Sequence, residues 1–307
     1  METVLAYLPS GIADKIREFP EYLAKEIEEI RLRVDRPLEI FTKGKAYFSP
    51  YFVTQLDAEQ FIHNLANHSF YTLEEELKKG YITIAGGHRV GLAGRVILEK
   101  GEVKALRDFS SFNIRIAKEK IGVANPFITY LIDTRWLHTM IIGAPQTGKT
   151  TFLRDLARLI STGVPERNIP PQKVGIVDER SEICGCVRGV PQLQFGPRLD
   201  VLDACPKAEG MMMLIRSMSP DVLIVDEVGR REDSEAIMEA VHAGITLVMT
   251  THGDSYEDIR KRPILNDILH HHVFDRFIEL SRTNGKNTIK TIRNKDGIMM
   301  NRMLGVT

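Results

Sequence analysis

The spacing of apolar positions divides the chain into two stretches of different character. Over residues 1–122 the runs are short and mostly alternate with charge. Leu5, Leu8, Ile12 and Ile16 predict an N-terminal helical region interrupted at Pro9. Glu29-Ile30-Arg31-Leu32-Arg33-Val34 alternates as a half-buried strand does, and Pro37 to Phe48 holds two more strand-like runs joined at Lys43-Gly44-Lys45. Residues 57–79 read as two helices. Asp57 is the expected N-cap of the first, with Gln60 three positions on as in a capping box. Tyr81-Ile82-Thr83-Ile84 alternates again, and Val96-Ile97-Leu98 and Asn113-Ile114-Arg115-Ile116 are further strand candidates. The glycines between Ala85 and Arg95 read as turn residues, because no helix follows them. Together these runs predict a mixed α+β domain with an antiparallel sheet. Its boundary is placed at 122, in a stretch (117–135) that carries Gly122, Pro126 and a helical portion.

Over residues 123–307 apolar runs instead end abruptly in polar chemistry. Thr139-Met140-Ile141-Ile142 predicts a short buried strand, and Phe152, Leu153, Leu156, Ala157, Leu159 and Ile160 recur at helical spacing until Gly163 and Pro165. Past a polar connector at 165–171, Val174-Gly175-Ile176-Val177 runs into Asp178, Val222-Leu223-Ile224-Val225 into Asp226-Glu227, and the strand from Ile245 to Thr250 into Thr251-His252. Helices are expected over 209–218 and 232–242. Phe277 to Leu280 and Thr288 to Ile292 form an expected hairpin around Asn284-Gly285.

Between the first of these strands and its helix stands Gly143-Ala144-Pro145-Gln146-Thr147-Gly148-Lys149-Thr150, which fits the phosphate-loop pattern G-x-x-x-x-G-K-[ST]. Glycine lets backbone N–H groups turn toward a polyphosphate, Lys149 reaches the β- and γ-phosphates, and Thr150 offers its hydroxyl to Mg²⁺. Thr151 extends the set expected to hold nucleotide. In a parallel sheet the C-terminal strand ends share one edge, where ligands bind. Asp226 is therefore the expected Mg²⁺ ligand and Glu227 the residue that polarises the attacking water. Asp178, Glu179 and Glu182 form an acidic cluster beside them. Either one member acts as general base or the cluster is neutralised from within by Arg180; the sequence leaves both open. His252 is expected to sense the γ-phosphate. The fold class is α/β, a RecA-like P-loop ATPase domain (123–307) with a parallel-rich sheet, preceded by the smaller α+β domain (1–122). The cofactors are ATP and Mg²⁺.

Composition narrows the partners. The 307 residues suit two domains, and 43% apolar content suffices for their cores. With 41 basic and 41 acidic side chains the formal charge is zero, which disfavours a nucleic-acid partner. No apolar run is long enough to span a bilayer, and the N-terminus lacks a secretion-signal pattern. The expected location is cytoplasmic, peripheral at the inner face of a membrane. Three cysteines, Cys184, Cys186 and Cys205, give no disulfide framework. They are expected as small half-buried side chains. His270-His271-His272 lies outside the expected site and reads as surface or partner-facing.

Gly143 to Thr150, the acidic run Ile176 to Glu182, Asp226-Glu227 and the stretch Ala243 to His252 together resemble the secretion ATPase superfamily of type II and type IV secretion and pilus-retraction motors. Ile176-Val177-Asp178-Glu179-Arg180-Ser181-Glu182 resembles its acidic Asp box and Thr250-Thr251-His252 its His box. Residues 29–34, 86–95 and 113–116 resemble parts of its N-terminal domain. The resemblance implies a homo-oligomer, a hexameric ring, that powers assembly of, or transport through, a membrane channel or secretion complex. It also implies nucleotide bound between the two domains, with N-domain arginines on its phosphates; Arg89, Arg95 and Arg115 stand in suitable positions. Lys149, Glu227, Glu182, Glu179, His252 and Arg115 are the expected catalytic set. The pilus motors often carry Gly where this chain has Asp226, so the division of roles between Asp226 and Glu227 transfers less directly. A RecA-like nucleic-acid motor and a nucleotide-gated scaffold with little turnover are the alternatives.

Overall fold

The computed structural model describes residues 1–66, 80–99, 101–283 and 286–304. The second helix expected within 57–79 and the Asn284-Gly285 turn fall outside the described residues. The chain forms two compact units, Met1–Lys118 and Glu119–Thr307.

In the first unit, short helices at Glu2–Leu5, Ser10–Arg17 and Glu21–Ala24 lead into a six-stranded antiparallel sheet of order β3-β2-β1-β6-β5-β4. Its strands are β1 (Ile27–Arg33), β2 (Pro37–Thr42), β3 (Lys45–Phe52), β4 (Tyr81–Ile84), β5 (His88–Glu99) and β6 (Glu102–Arg115). Alternation sorts the faces: Ile30, Leu32, Ile40, Val90 and Ile114 are buried against Phe61 and Leu65 of the helix Gln55–Ala66. The cap of that helix is Thr54 rather than Asp57. The Asp57 amide donates to the Thr54 hydroxyl (3.1 Å) and the Asp57 carboxylate accepts from the Thr54 amide (2.8 Å). A Thr-x-x-Asp box thus wins over the expected Asp57–Gln60 one.

The glycine stretch also departs from expectation. Gly86 and Gly87 make the turn, but Gly91 and Gly94 lie inside β5. Gly94 marks a bulge where a Cβ would lie 2.6 Å from the Arg107 carbonyl, so no side chain fits between the strands there.

The second unit holds an eight-stranded sheet of order β14-β13-β12-β7-β11-β10-β8-β9. Strands β7 (Thr139–Gly143), β8 (Val174–Asp178), β9 (Leu199–Asp203), β10 (Val222–Val225), β11 (Thr246–His252) and β12 (Arg276–Thr283) are parallel; β13 (Lys286–Asn294) and β14 (Met299–Leu304) add antiparallel. The central strands read as continuous apolar runs because both faces are covered. Ile141, Ile224 and Val248 meet Phe152, Leu153 and Leu156 of the helix Lys149–Thr162. Met140, Val225 and Met249 meet Met211 and Leu214 of the helix Lys207–Ser217 and Ile237 and Ala240 of the helix Arg231–His242. Edge strands β9 and β14 had no clear periodic signal. Cys184 and Cys186 are fully buried in the first of these two cores, not half-buried as expected.

Candidate nucleotide-binding site

Strand register builds the site. His252 pairs with Gly143, and Val225 sits beside Met249 on one side and Val177 on the other. The residues that follow these ends, the phosphate loop, Asp226-Glu227 and the acidic run from Asp178, therefore open on one edge.

The loop is shaped by backbone no ordinary side chain favours. Gly148 at φ 90° caps the helix Lys149–Thr162, and Gln146 is also left-handed. At Gly143 a Cβ would stand 2.4 Å from the Thr147 Oγ1, which donates to the Ala144 carbonyl at 2.7 Å. Lys149 is buried, and its Nζ donates to the carbonyls of Gly143 (2.8 Å) and Ala144 (3.0 Å). Burial lowers its pKa, while the charges of Asp226 and Glu227 act in the opposite direction.

Four side chains then form a connected array. Lys149 Nζ lies 3.2 Å from His252 Nδ1, and His252 Nε2 lies 2.8 Å from a Glu227 oxygen. An Nε2–H imidazole satisfies both neighbours, accepting from the ammonium and donating to the carboxylate. The other Glu227 oxygen is 2.8 Å from Arg180. Glu227 itself sits at φ 53°, its amide donating to the Thr250 hydroxyl at 2.8 Å. That strained turn aims the carboxylate across the edge.

Asp226 accepts from the Thr150 hydroxyl at 3.0 Å and from the Thr250 hydroxyl. Burial pushes its carboxyl pKa up, the two hydroxyl bonds pull it down, and Glu227 and Glu182 push it up again. Such a carboxylate gains strongly from a cation.

The acidic cluster divides into distinct jobs. Asp178 is buried and accepts the amides of Glu182 (2.8 Å), Ile183 (3.0 Å) and Cys184 (2.9 Å). It fastens the turn that carries Glu182, and Arg154 secures the same turn through the Glu182 and Ile183 carbonyls at 2.7 and 2.6 Å. Glu179 is bonded to Lys207 and lies 3.8 Å from Arg230. Burial raises its pKa, but Lys207, Arg230 and Arg180 outweigh that and hold it below the usual carboxylate value. Glu179 is thus an ion-pair partner and a weak base. A small cleft remains, lined by Glu182, Asp226 and Glu227 together with Asp178, Glu179, Arg180 and Lys207.

The edge gathers Lys149, Thr150, Asp226, Glu227, Glu182 and His252. Thr151, the third residue of the helix Lys149–Thr162, is half-buried, and Pro145 and Gln146 are exposed. Thr250, Lys207 and Arg154 are site residues absent from the expected set. Thr250 was within reach of sequence reasoning, since it shares a strand face with His252 two residues on; Lys207 and Arg154 carry no such mark.

The first unit treats the three arginines expected to face nucleotide, Arg89, Arg95 and Arg115, differently. Arg89 and Arg115 are directly opposed across β5 and β6, with Glu29 next in the row on β1. Arg89 stacks over the Tyr81 ring at 3.8 Å, and Arg115 lies 3.8 Å from Glu29. Arg95 is set apart beyond the Gly94 bulge, paired to Asp108 at 2.8 Å.

This architecture is an α/β P-loop ATPase fold. Its solved likenesses include the pilus retraction motor PilT with bound ADP (TM-score 0.61, 14% identity, 92% of this chain and 80% of that one). Another is the Legionella pneumophila ATPase DotB (TM-score 0.57, 14% identity, 89% and 78%). The chain belongs to the family described as Sporulation stage III, protein AA, whose model matches residues 4–300. Stage III sporulation protein AA of Bacillus subtilis (strain 168) is 56% identical over 306 residues, covering 100% of this chain and 99% of that one. Among the described residues no helix is long and apolar enough to cross a membrane.

Proposed function

We propose that this sporulation-family chain is a Mg²⁺-dependent ATPase that powers assembly of, or transport through, a membrane channel. The observation that carries the reading is the array at one sheet edge: Lys149 joined through His252 to Glu227, with Thr150 on Asp226 beside it. A hydroxyl and one half-buried carboxylate are hard oxygen donors, the protein share that Mg²⁺ takes when phosphates supply the rest. Bound with nucleotide, the ion neutralises the phosphate oxygens.

The chain's own groups do the remainder. Lys149 exchanges the Gly143 and Ala144 carbonyls for phosphate oxygens. Thr150 keeps its hydroxyl proton on Asp226 and would present an oxygen lone pair to the metal position. Glu227, aimed by its left-handed backbone, orients the attacking water and accepts its proton. Releasing Lys149 also frees His252 Nδ1, so phosphate occupancy is felt at Glu227 through one imidazole. The secretion-ATPase likeness extends the proposal to a hexameric ring, with cytoplasmic placement at the membrane's inner face.

Steady-state turnover of the full chain with Mg²⁺ or a chelator, beside Lys149→Ala, tests the reading. Turnover should require Mg²⁺, and Lys149→Ala should weaken ATP binding about a hundredfold, as expected for losing a buried charge-assisted contact. Unchanged affinity in a calorimetric titration refutes the site. Tight binding without turnover in the assembled protein favours the gated scaffold.

A further inference from the structure

The helices Lys207–Ser217 and Arg231–His242 shape a second feature. An open groove of about 720 Å³ runs between them and the helix Pro263–His270. Its floor is apolar: Ala208 and Met212 from the first helix, Ala236 and Met238 from the second, Ile268 from the third. Its rim is acidic. Glu232, Glu235 and Glu239 recur along one face of the second helix, and Glu209 faces them from the first. All four are exposed, and none has an ion-pair partner among the described residues. A chain of zero formal charge has thus concentrated uncompensated negative charge around a methionine floor. Like charges so close repel, a cost that a cationic partner relieves.

We propose that this groove docks a basic amphipathic helix of a partner protein. Methionine is unbranched and polarizable and moulds to varied apolar side chains. A helix laid in a groove presents its apolar stripe at i, i+3, i+4 and i+7 to such a floor. Lysine or arginine beside that stripe meets the four glutamates. An acidic helix or an anionic membrane surface is repelled by the same rim. His271, in the triple-histidine run, also lines the groove. The groove also adjoins the nucleotide site through its own helices. Lys207 opens one helix and holds Glu179, and Arg230 immediately precedes the other. The docking proposal does not depend on turnover.

The test uses the full chain and a labelled synthetic helix of leucine and lysine, with leucine at i, i+3, i+4 and i+7. The controls are a scrambled isomer of equal charge and a version with glutamate for lysine. Fluorescence anisotropy should show salt-sensitive binding of the amphipathic peptide, at least about tenfold weaker for the isomer, and none for the acidic version. The double variant Glu235→Lys, Glu239→Lys should lose about tenfold or more, and Met238→Ser a smaller factor, with ATP affinity unchanged in both. Equal binding of the scrambled isomer, or equal binding by the charge-reversed chain, overturns the proposal. So does sedimentation showing that the reversal alters self-assembly instead, because the groove is then covered by a second copy.

Discussion

The two units hold their charges in opposite ways. In Glu119–Thr307 the charges of the sheet edge are partly buried and joined in series, so each fixes its neighbour: Lys149, His252, Glu227 and Arg180 form one line. In Met1–Lys118, Arg89, Arg95 and Arg115 are half-buried or exposed on the sheet, each with a local companion: Tyr81 for Arg89, Asp108 for Arg95, Glu29 for Arg115. Exposed pairs contribute little to stability, whereas buried, connected ones are costly to break. A substitution in the first setting therefore reads out function with the fold left standing. One in the second disturbs a whole array.

The largest effect separates the units outright. If a first-unit guanidinium stabilises transition-state charge, its loss costs about 10³ to 10⁵ in turnover, the range for arginine fingers. The Glu119–Thr307 unit has cores of its own on both sheet faces, so it should still bind nucleotide when isolated, but hydrolyse poorly. Arg115 is the residue to substitute first. Its pairing to Glu29 at 3.8 Å is loose and its side chain is 63% exposed, so it is able to turn toward a stronger anion. Arg115→Ala should reproduce the truncation with an unchanged melting temperature. Full turnover by the isolated unit as a monomer removes the first unit from catalysis and dissolves the comparison.

Within the second unit the contrast lies between two carboxylates. Glu227→Gln should keep nucleotide affinity and lower turnover by about 10² to 10⁴, the range for losing a general base. Glu182→Gln should cost much less. The reverse result moves water activation to the acidic turn that Asp178 and Arg154 secure.

The same contrast explains what the sequence revealed. The phosphate loop, the strand ends and the alternation of β1 and β4 were legible because each is a local rhythm, and the residue identities at the strand ends follow from chemistry. Lys207 and Arg154 were hidden because their roles depend on partners far along the chain: Arg154 reaches Glu182 and Ile183, and Lys207 reaches Glu179. The pairing of Glu179 with Lys207 was out of reach for the same reason, the two lying far apart in the chain. At the cap of the helix Gln55–Ala66 two local rules competed, and the box one turn earlier, at Thr54 and Asp57, prevailed.

The smallest predicted effect again divides the units, now by pH. His88 is buried in the first unit. Burial, with a smaller push from the positive N-terminal amine, lowers its pKa from 6.5 to about 4. Its Nδ1 accepts the Ala117 amide at 3.0 Å, a bond that suits the uncharged ring. Between pH 6.5 and about 4 the unfolded chain binds a proton that the folded one refuses, so stability falls as pH drops through that window. Asp226 acts in the opposite sense. Its folded pKa is raised above 3.8, so between that value and the raised one the folded state holds the extra proton. Acidification there stabilises the second unit. Thermal melts followed separately in each unit by hydrogen exchange should show the first loosening earlier as pH falls from neutrality. His88→Asn keeps an acceptor for the Ala117 amide and cannot protonate, so it should flatten the first unit's pH dependence and leave the second unit's untouched. An unchanged slope would locate the acid sensitivity in groups other than His88.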